Sequence, residues 1–436
     1  SHPPHPSCST FCLSLSFPPP PPPPLFESIL HKPVQRGGTS KQSAVSYPAW
    51  RTSSTTEAGV VLTLLYRLRT VIKQATMMRV SPIARRAMGR IANSRKMMMS
   101  EGGTERLDVV DRLHYVQRVR AMTPPQAVES MLAMYSSALD SIVTSPSLMA
   151  IPIDDHGFHR GHAVFDTCNV LDGKAYALDM HIDRLLSSAE MAKIELKSVS
   201  KTSLKEILLA TLAVAGKENN VFCRYWLTAG RGDFHVSPKG CVGGNGFYAV
   251  VHKTWERDDE TPIKEVVVST PLKPQLLANM KSNNYMINAL TAMEAQEGGG
   301  NLGIQVDNDG YLQEASISCV GIVEDDDVLR TPPFETILPS TTVRRVLAFG
   351  QQLVEKGLLK GILQTPVKME QVYSAKEAFL LGGHHVVPVG QVGERTIGNG
   401  QRGPVCKALQ ELQHNDMRNP EMTDAIPFSQ YHSNQH

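Results

Sequence analysis

No two cysteines in this 436-residue chain fall at C-x-x-C spacing. The seven, at 8, 12, 168, 223, 241, 319 and 406, are scattered, which argues against a zinc site or a disulfide framework and leaves a reduced compartment as the default. Long apolar runs are missing as well. The longest, Val60 to Tyr66, is far short of the roughly 20 residues a bilayer span needs, and it stops at Arg67, so no membrane partner is expected. There is no P-loop and no triad at a telling spacing. The nearest approach to a metal cluster is His156, His159 and His162, whose intervals of three would face one way on a helix. Gly157, Gly161 and the extended-looking Ala163–Phe165 argue against that helix, and no metal is expected there or at His384-His385.

Acidic residues are almost absent from the first hundred positions, which hold 13 Lys/Arg against Glu27 and Glu57 alone. Pro18 to Pro24 is an unbroken proline run, unable to form helix or central strand. The Arg-rich, nearly acid-free segment 67–96 then has the composition of an organellar transit peptide. A basic tail without a targeting role is the plainer alternative. Residues 1–100 are therefore expected to be a disordered address for a plastid or mitochondrial matrix, or, failing that, the tail of a cytoplasmic protein. The remainder carries 31 basic and 40 acidic residues, a net of about −9, which is no nucleic-acid footprint.

That remainder alternates strand and helix signals, as an α+β or α/β chain of two domains would. Ser203-Leu-Lys-Glu206 reads as a capping box opening a helix that Gly216 stops. Phe247–Thr254 and Val266–Val268 read as strands, and 284–296 has helical spacing ending in Gly298-Gly-Gly300. Asp307-Asn-Asp-Gly310 is a hairpin turn between Ile304–Val306 and Tyr311–Gln313. Thr342–Glu355 is an amphipathic helix with Val343, Val346, Leu347 and Leu353 inward. Ser374-Ala-Lys-Glu377 reads as a second capping box, before 378–381. The charged connector 255–260 is the expected domain boundary. The divisions are 101–129 as a linker or N-terminal helix, 130–255 and 256–416 as domains, and 417–436 as a polar, flexible tail.

One lysine stands apart. Lys281 sits in NMKSNNYMINAL, among amides just before an apolar helix face. A lysine taken blindly is a solvated surface group, but one held half-buried at an element's end can lose its proton and condense with an aldehyde. NMKSNNYMINALTAMEA resembles the lysine motif of the fold-type IV aminotransferases. HGFHRGHAVFDT (156–167), LDMHIDRLLSSAEMAKIEL (178–196), RYWLTAGRGDF (224–234), DGYLQEASISCVGIV (309–323) and TPPFETILPSTTVRRVL (331–347) are similar to five further motifs of that family, in family order. The first and third look closest to the plant D-amino-acid transaminase type. The resemblance covers roughly residues 130 to 416.

It implies a fold of a small α+β domain and a larger pseudo-barrel domain with pyridoxal 5'-phosphate between them, in a homodimer. Lys281 would carry the cofactor and move a proton on it. Glu314 would face the pyridine nitrogen, Arg184 would clamp the phosphate, and backbone amides of Thr341 and Thr342 would complete the phosphate cradle. Phe165 would line the substrate side, and Arg224 or Arg231 would meet a substrate carboxylate. Singly, each has a plainer reading: Glu314 as a turn residue, Arg184 as a surface helix charge, Thr341 as an N-cap. The substrates implied are an amino acid, in the first instance a D-amino acid, and a 2-oxo acid. The same scaffold also serves 4-amino-4-deoxychorismate lyases and L-branched-chain aminotransferases, and a cofactor-binding protein without turnover is the further alternative. Ala163 and Ala315 stand where the family has Gly, and would be strained if those positions needed positive φ. Ser340, Thr341, Cys319 and the Gly-Gly-His-His run at 382–385 also depart from the family pattern.

Overall fold

The computed structural model describes residues 108–217, 220–254 and 258–431. The transit-type segment 1–100 and part of the expected boundary, 255–257, lie outside the described residues. The chain enters through helices Arg112–Met122 and Pro125–Ser130.

A first sheet follows. Its strands are β1 (Met131–Ser136), β2 (Ser141–Val143), β3 (Ala163–Leu171), β4 (Lys174–Tyr176), β5 (Val221–Thr228) and β6 (Gly246–Lys253). A seventh strand, Thr423–Ala425, is contributed by the end of the chain, and the order is 423–425, β4, β3, β5, β6, β1, β2. Two helices cover one face, α1 (Leu178–Met191) and α2 (Lys201–Ala215). The alternation of β3 turns Val164, Cys168 and Val170 toward them, against Leu178, Ile182, Leu185, Leu204 and Leu208. α2 starts three residues earlier than its sequence signal suggests: Ser200 is the N-cap, and Ser203 closes the box from the third position.

The second sheet runs from β7 (Ile263–Glu265) to β15. β8 (Ile304–Val306) and β9 (Leu312–Ala315) form a separate hairpin, whose turn is closed by the Asp307 carboxylate on the N–H groups of Asp309 and Tyr311. β10 (Cys319–Val323), β11 (Val328–Thr331), β12 (Gly361–Gln364), β13 (Glu377–Gly382), β14 (His385–Val392) and β15 (Arg395–Thr396) lie in the order β12, β11, β10, β13, β14, β15, with β7 paired to β14. Helices α3 (Met286–Glu297), α4 (Thr341–Glu355) and α5 (Pro404–Asp416) complete this part. α4 buries Val343, Val346, Phe349 and Leu353 against Leu329, Phe379 and Leu381. Val266–Val268 is not a strand of the sheet. The strand lies three residues upstream, and 266–268 only exchanges backbone bonds with Ile304.

Three expectations need correction. Glu377 caps no helix of its own. It opens β13, and its buried carboxylate accepts from the Val405 and Cys406 N–H groups at the start of α5, 2.9 and 2.8 Å away. A capping carboxylate borrowed from a distant strand leaves the same local sequence signature. Nor is the described part of the expected tail, 417–431, loose. Thr423–Ala425 pairs antiparallel with β4, Ala177 donates to the Met422 carbonyl at 2.7 Å, and a helix closes at Phe428–Tyr431. Its polar composition hid this, because an edge strand needs backbone partners more than apolar side chains. Lastly, neither Ala163 nor Ala315 has positive φ. Both lie in strands, so the strain expected there does not arise. Cysteines 168, 223, 241, 319 and 406 are free and buried.

Replacing Glu377 by Ala strands two buried N–H donors. Glu377→Ala should lower stability by about 2–3 kcal/mol in urea unfolding, and Glu377→Gln, which keeps one acceptor, by distinctly less.

Candidate active site

β4 pairs β3 only at Val170 and Leu171, so the first half of β3 has an open edge. The segment carrying Lys281 fills it. Phe165 N–H donates to the Lys281 carbonyl and Asn283 N–H to the Ala163 carbonyl, both at 2.9 Å, and Val164 bridges Ser282. Lys281 N–H donates to the buried Ser188 hydroxyl of α1 at 3.1 Å. In that register Phe165 stands opposite Lys281, and the two side chains share a face. The Lys281 ammonium lies 4.6 Å from the centre of the Phe165 ring and 3.3 Å from the Tyr285 hydroxyl, while the Phe165 and Tyr285 rings meet edge-on at 4.9 Å. Tyr285, one helical turn past the lysine at the head of α3, was not singled out from the sequence, although the position is spelled out in KSNNY.

The surroundings of Lys281 ease the loss of its proton. Burial lowers the Lys281 pKa to about 8, the Arg184 and Arg224 cations push the same way, and Asp166 and Glu314 oppose them. Burial and the nearby Glu314 carboxylate hold the Tyr285 phenol well above its usual range.

Arg184 reaches the site from α1, but its guanidinium is anchored. Nε and Nη2 donate to the two oxygens of Asp166, each at 2.8 Å, and Asp166 is fully buried. His181, one turn earlier, adds a third contact at 2.9 Å. Burial works to raise the Asp166 pKa, yet Arg184 and His181 hold it far below the ordinary carboxylate range. Burial depresses His181, so a neutral imidazole donates its Nδ1–H to the ionised carboxylate. Asp166 and His181 were both missed at the sequence level. Their signal was there, since strand alternation puts Asp166 on the face α1 covers, and a buried acid needs a partner.

Glu314, the third residue of β9, has both oxygens engaged. Leu338 N–H donates to Oε1 at 2.9 Å, and the Lys273 ammonium to Oε2 at 3.3 Å. Leu338 belongs to the loop leading into α4. Ser340 is the N-cap of α4, not Thr341. Thr341 and Thr342 are the first two helical residues and are buried, and the Thr342 hydroxyl accepts from His384 N–H at 3.0 Å, which ties the 382–385 loop to the start of α4.

The two other arginines part company. Arg224, on β5, donates Nε–H to Thr167 at 3.0 Å and holds its guanidinium over the Phe165 ring at 5.8 Å; among the described residues no carboxylate forms an ion pair with it. Arg231 is half-exposed at the surface and forks onto Asp154, with contacts of 2.9 to 3.2 Å. His156 does start a short helix, at 156–159, with Asp155 as its cap. His156 and His162 meet through their Nδ1 atoms at 3.2 Å, and the His162 Nε2 lies 2.8 Å from the Ala192 carbonyl.

The chain is similar to known proteins over most of its described length. The amino-transferase class IV family matches residues 163–392. A "D-amino-acid transaminase, chloroplastic" of Arabidopsis thaliana is 41% identical over 304 residues, spanning 69% of this chain and 81% of the relative. A "Putative branched-chain-amino-acid aminotransferase" of Methanocaldococcus jannaschii is 29% identical over 265 residues, 60% of this chain and 89% of that protein. Among solved structures, a T.th. branched-chain amino acid aminotransferase with pyridoxamine 5'-phosphate superposes with a TM-score of 0.60 at 20% identity. That match spans 68% of this chain and 99% of the other, a likeness of fold.

An amine with a pKa near 8 should titrate its reactivity there. Acylation of Lys281 in the cofactor-free protein, followed by peptide mapping, should accelerate about tenfold per unit below pH 8 and level off above it. An ordinary lysine would keep accelerating toward pH 10.

Proposed function

The chain belongs to the class IV aminotransferases and is an aminotransferase, and from that footing we propose that it takes the amino group of a D-amino acid, passes it to a 2-oxo acid, and does so with pyridoxal 5'-phosphate held by Lys281. The observation that carries the reading is the setting of Lys281: a lysine clipped to a strand edge, with a depressed pKa, between Phe165 and Tyr285. The D-configuration is supported by the plant relative, whose name specifies it. That name also says chloroplastic, which favours a plastid over a mitochondrion.

Class IV aminotransferases are pyridoxal-phosphate enzymes, and the donor set suits the group. An amine is present for its aldehyde, a carboxylate for its ring nitrogen, and a guanidinium and a helix N-terminus for its phosphate. When bound, the cofactor supplies an electron sink for breaking the Cα–H bond of the amino acid. The chain supplies the rest. The Lys281 amine takes the proton from Cα and returns it, and its low pKa keeps an unprotonated fraction available near neutrality. The Glu314 carboxylate would stand at the ring nitrogen and favour its protonated form. Arg184, fixed in orientation by Asp166, would hold the phosphate together with the N–H groups of Thr341 and Thr342 at the start of α4. Phe165 forms the apolar wall on the substrate side, and Arg224, with no acidic partner among the described residues, receives the substrate carboxylate in preference to Arg231.

The division into 130–255 and 256–416 is supported by the two sheets, since nearly all strands of each come from one range. A homodimer is supported by a stripe on α3, where Met286, Leu290 and Met293, one face of the helix, are 73%, 46% and 56% exposed.

The test is a donor panel on purified holoprotein, followed by the cofactor's absorbance. Conversion of the bound aldehyde to the amine form by D-alanine or D-methionine and not by their L-enantiomers is expected. Conversion by L-leucine alone, or pyruvate release from 4-amino-4-deoxychorismate, would replace the reading with one of its relatives. Borohydride reduction should leave the cofactor on Lys281 and nowhere else, and Lys281→Ala should lose about 10⁴-fold or more in kcat. Arg224→Met should raise KM for amino acids by roughly one to two orders of magnitude, with little change in cofactor affinity.

A further inference from the structure

Lys273 has no place in the account so far, yet it is built into the site. Its ammonium meets Glu314 Oε2 at 3.3 Å, and the two side chains are only 11% and 12% exposed. Burying a lysine head beside one carboxylate is costly unless the pair is held in place, and holding a four-carbon stem forfeits about 1.5–2 kcal/mol of rotamer freedom. The backbone is arranged to hold it. Lys273 lies between Pro271 and Pro274, and a residue before proline is confined to extended backbone. Upstream, the Glu294 carboxylate of α3 takes four hydrogen bonds from the N–H and hydroxyl groups of Ser269 and Thr270, and Gln305 donates to the Thr270 and Pro271 carbonyls. Downstream, Asn279 is bonded to the Phe334 and Ile337 carbonyls of the same loop that sends Leu338 N–H to the other oxygen of Glu314.

We infer that Lys273 is a positioning residue for Glu314: with Leu338 N–H it fixes both carboxylate oxygens, and its charge makes Glu314 a weaker partner for the ring nitrogen than an unshared carboxylate would be. The inference rests on the reading that Glu314 faces that nitrogen. A cation 3.3 Å from one oxygen draws on the same negative charge that stabilises a protonated ring. The site therefore holds its cofactor nitrogen at an intermediate basicity, set by two opposed charges, while the carboxylate itself cannot swing away.

The test is the ¹⁵N resonance of ring-labelled cofactor in the full-chain holoenzyme, titrated with pH, in wild type, Lys273→Met, Lys273→Gln and Lys273→Arg. The Met and Gln variants should move the ring-nitrogen signal toward its protonated position and raise its protonation midpoint by roughly one pH unit or more. Lys273→Arg should restore the wild-type signal. Where the Met variant does not fold, the Gln variant, which keeps a donor and loses the charge, makes the same comparison. A purely structural role would alter cofactor retention and leave the resonance where it was. Glu314→Gln separates the two claims. A signal that moves in Glu314→Gln but not in the Lys273 variants overturns the inference alone. A signal that moves in neither overturns the reading of Glu314, and the role of Lys273 with it.

Discussion

The half-open edge of β3 is the constraint from which the site follows. β4 is too short to cover it, so residues 281–283 dock there as a fragment of strand and deliver Lys281 to the first sheet although it comes from the second half of the chain. Two backbone bonds fix its height and the Ser188 hydroxyl fixes its lateral position. The backbone under this flexible side chain is thus tied at three points.

Charge around that amine is arranged in opposition. Arg184 and Arg224 lower its proton affinity, and Asp166, from behind β3, keeps Arg184 from exerting its full field. A second opposed pair is formed by Lys273 and Glu314, whose carboxylate also acts on the Lys281 amine. Arg184 and Lys273 are each held by an acid, whereas among the described residues no carboxylate forms an ion pair with Arg224.

Much of this was legible in the residues. The β8–β9 turn, the inward face of α4 and the extended stretch from Ala163 to Phe165 stand where spacing and turn chemistry put them. What escaped reading shares one cause. Glu377 looked like a local cap and serves a helix 28 residues on; Ser203 looked like a first residue and is a third; the polar end of the chain looked unstructured and completes a sheet. In each case the local string is right about the residue's chemistry and silent about its partner. The same silence hid Asp166, His181 and Lys273, whose roles exist only in pairs separated by 15 to 41 residues.

The last of those strands has a bearing on how the molecule is made. Residues 423–425 lie along β4, whose neighbours were synthesised roughly 250 residues earlier. Until residues 423–425 are made, that border of β4 carries unpaired backbone N–H and C=O groups, an exposed template for foreign strands. Among the described residues the first sheet therefore reaches its full width only after every strand of the second has been synthesised.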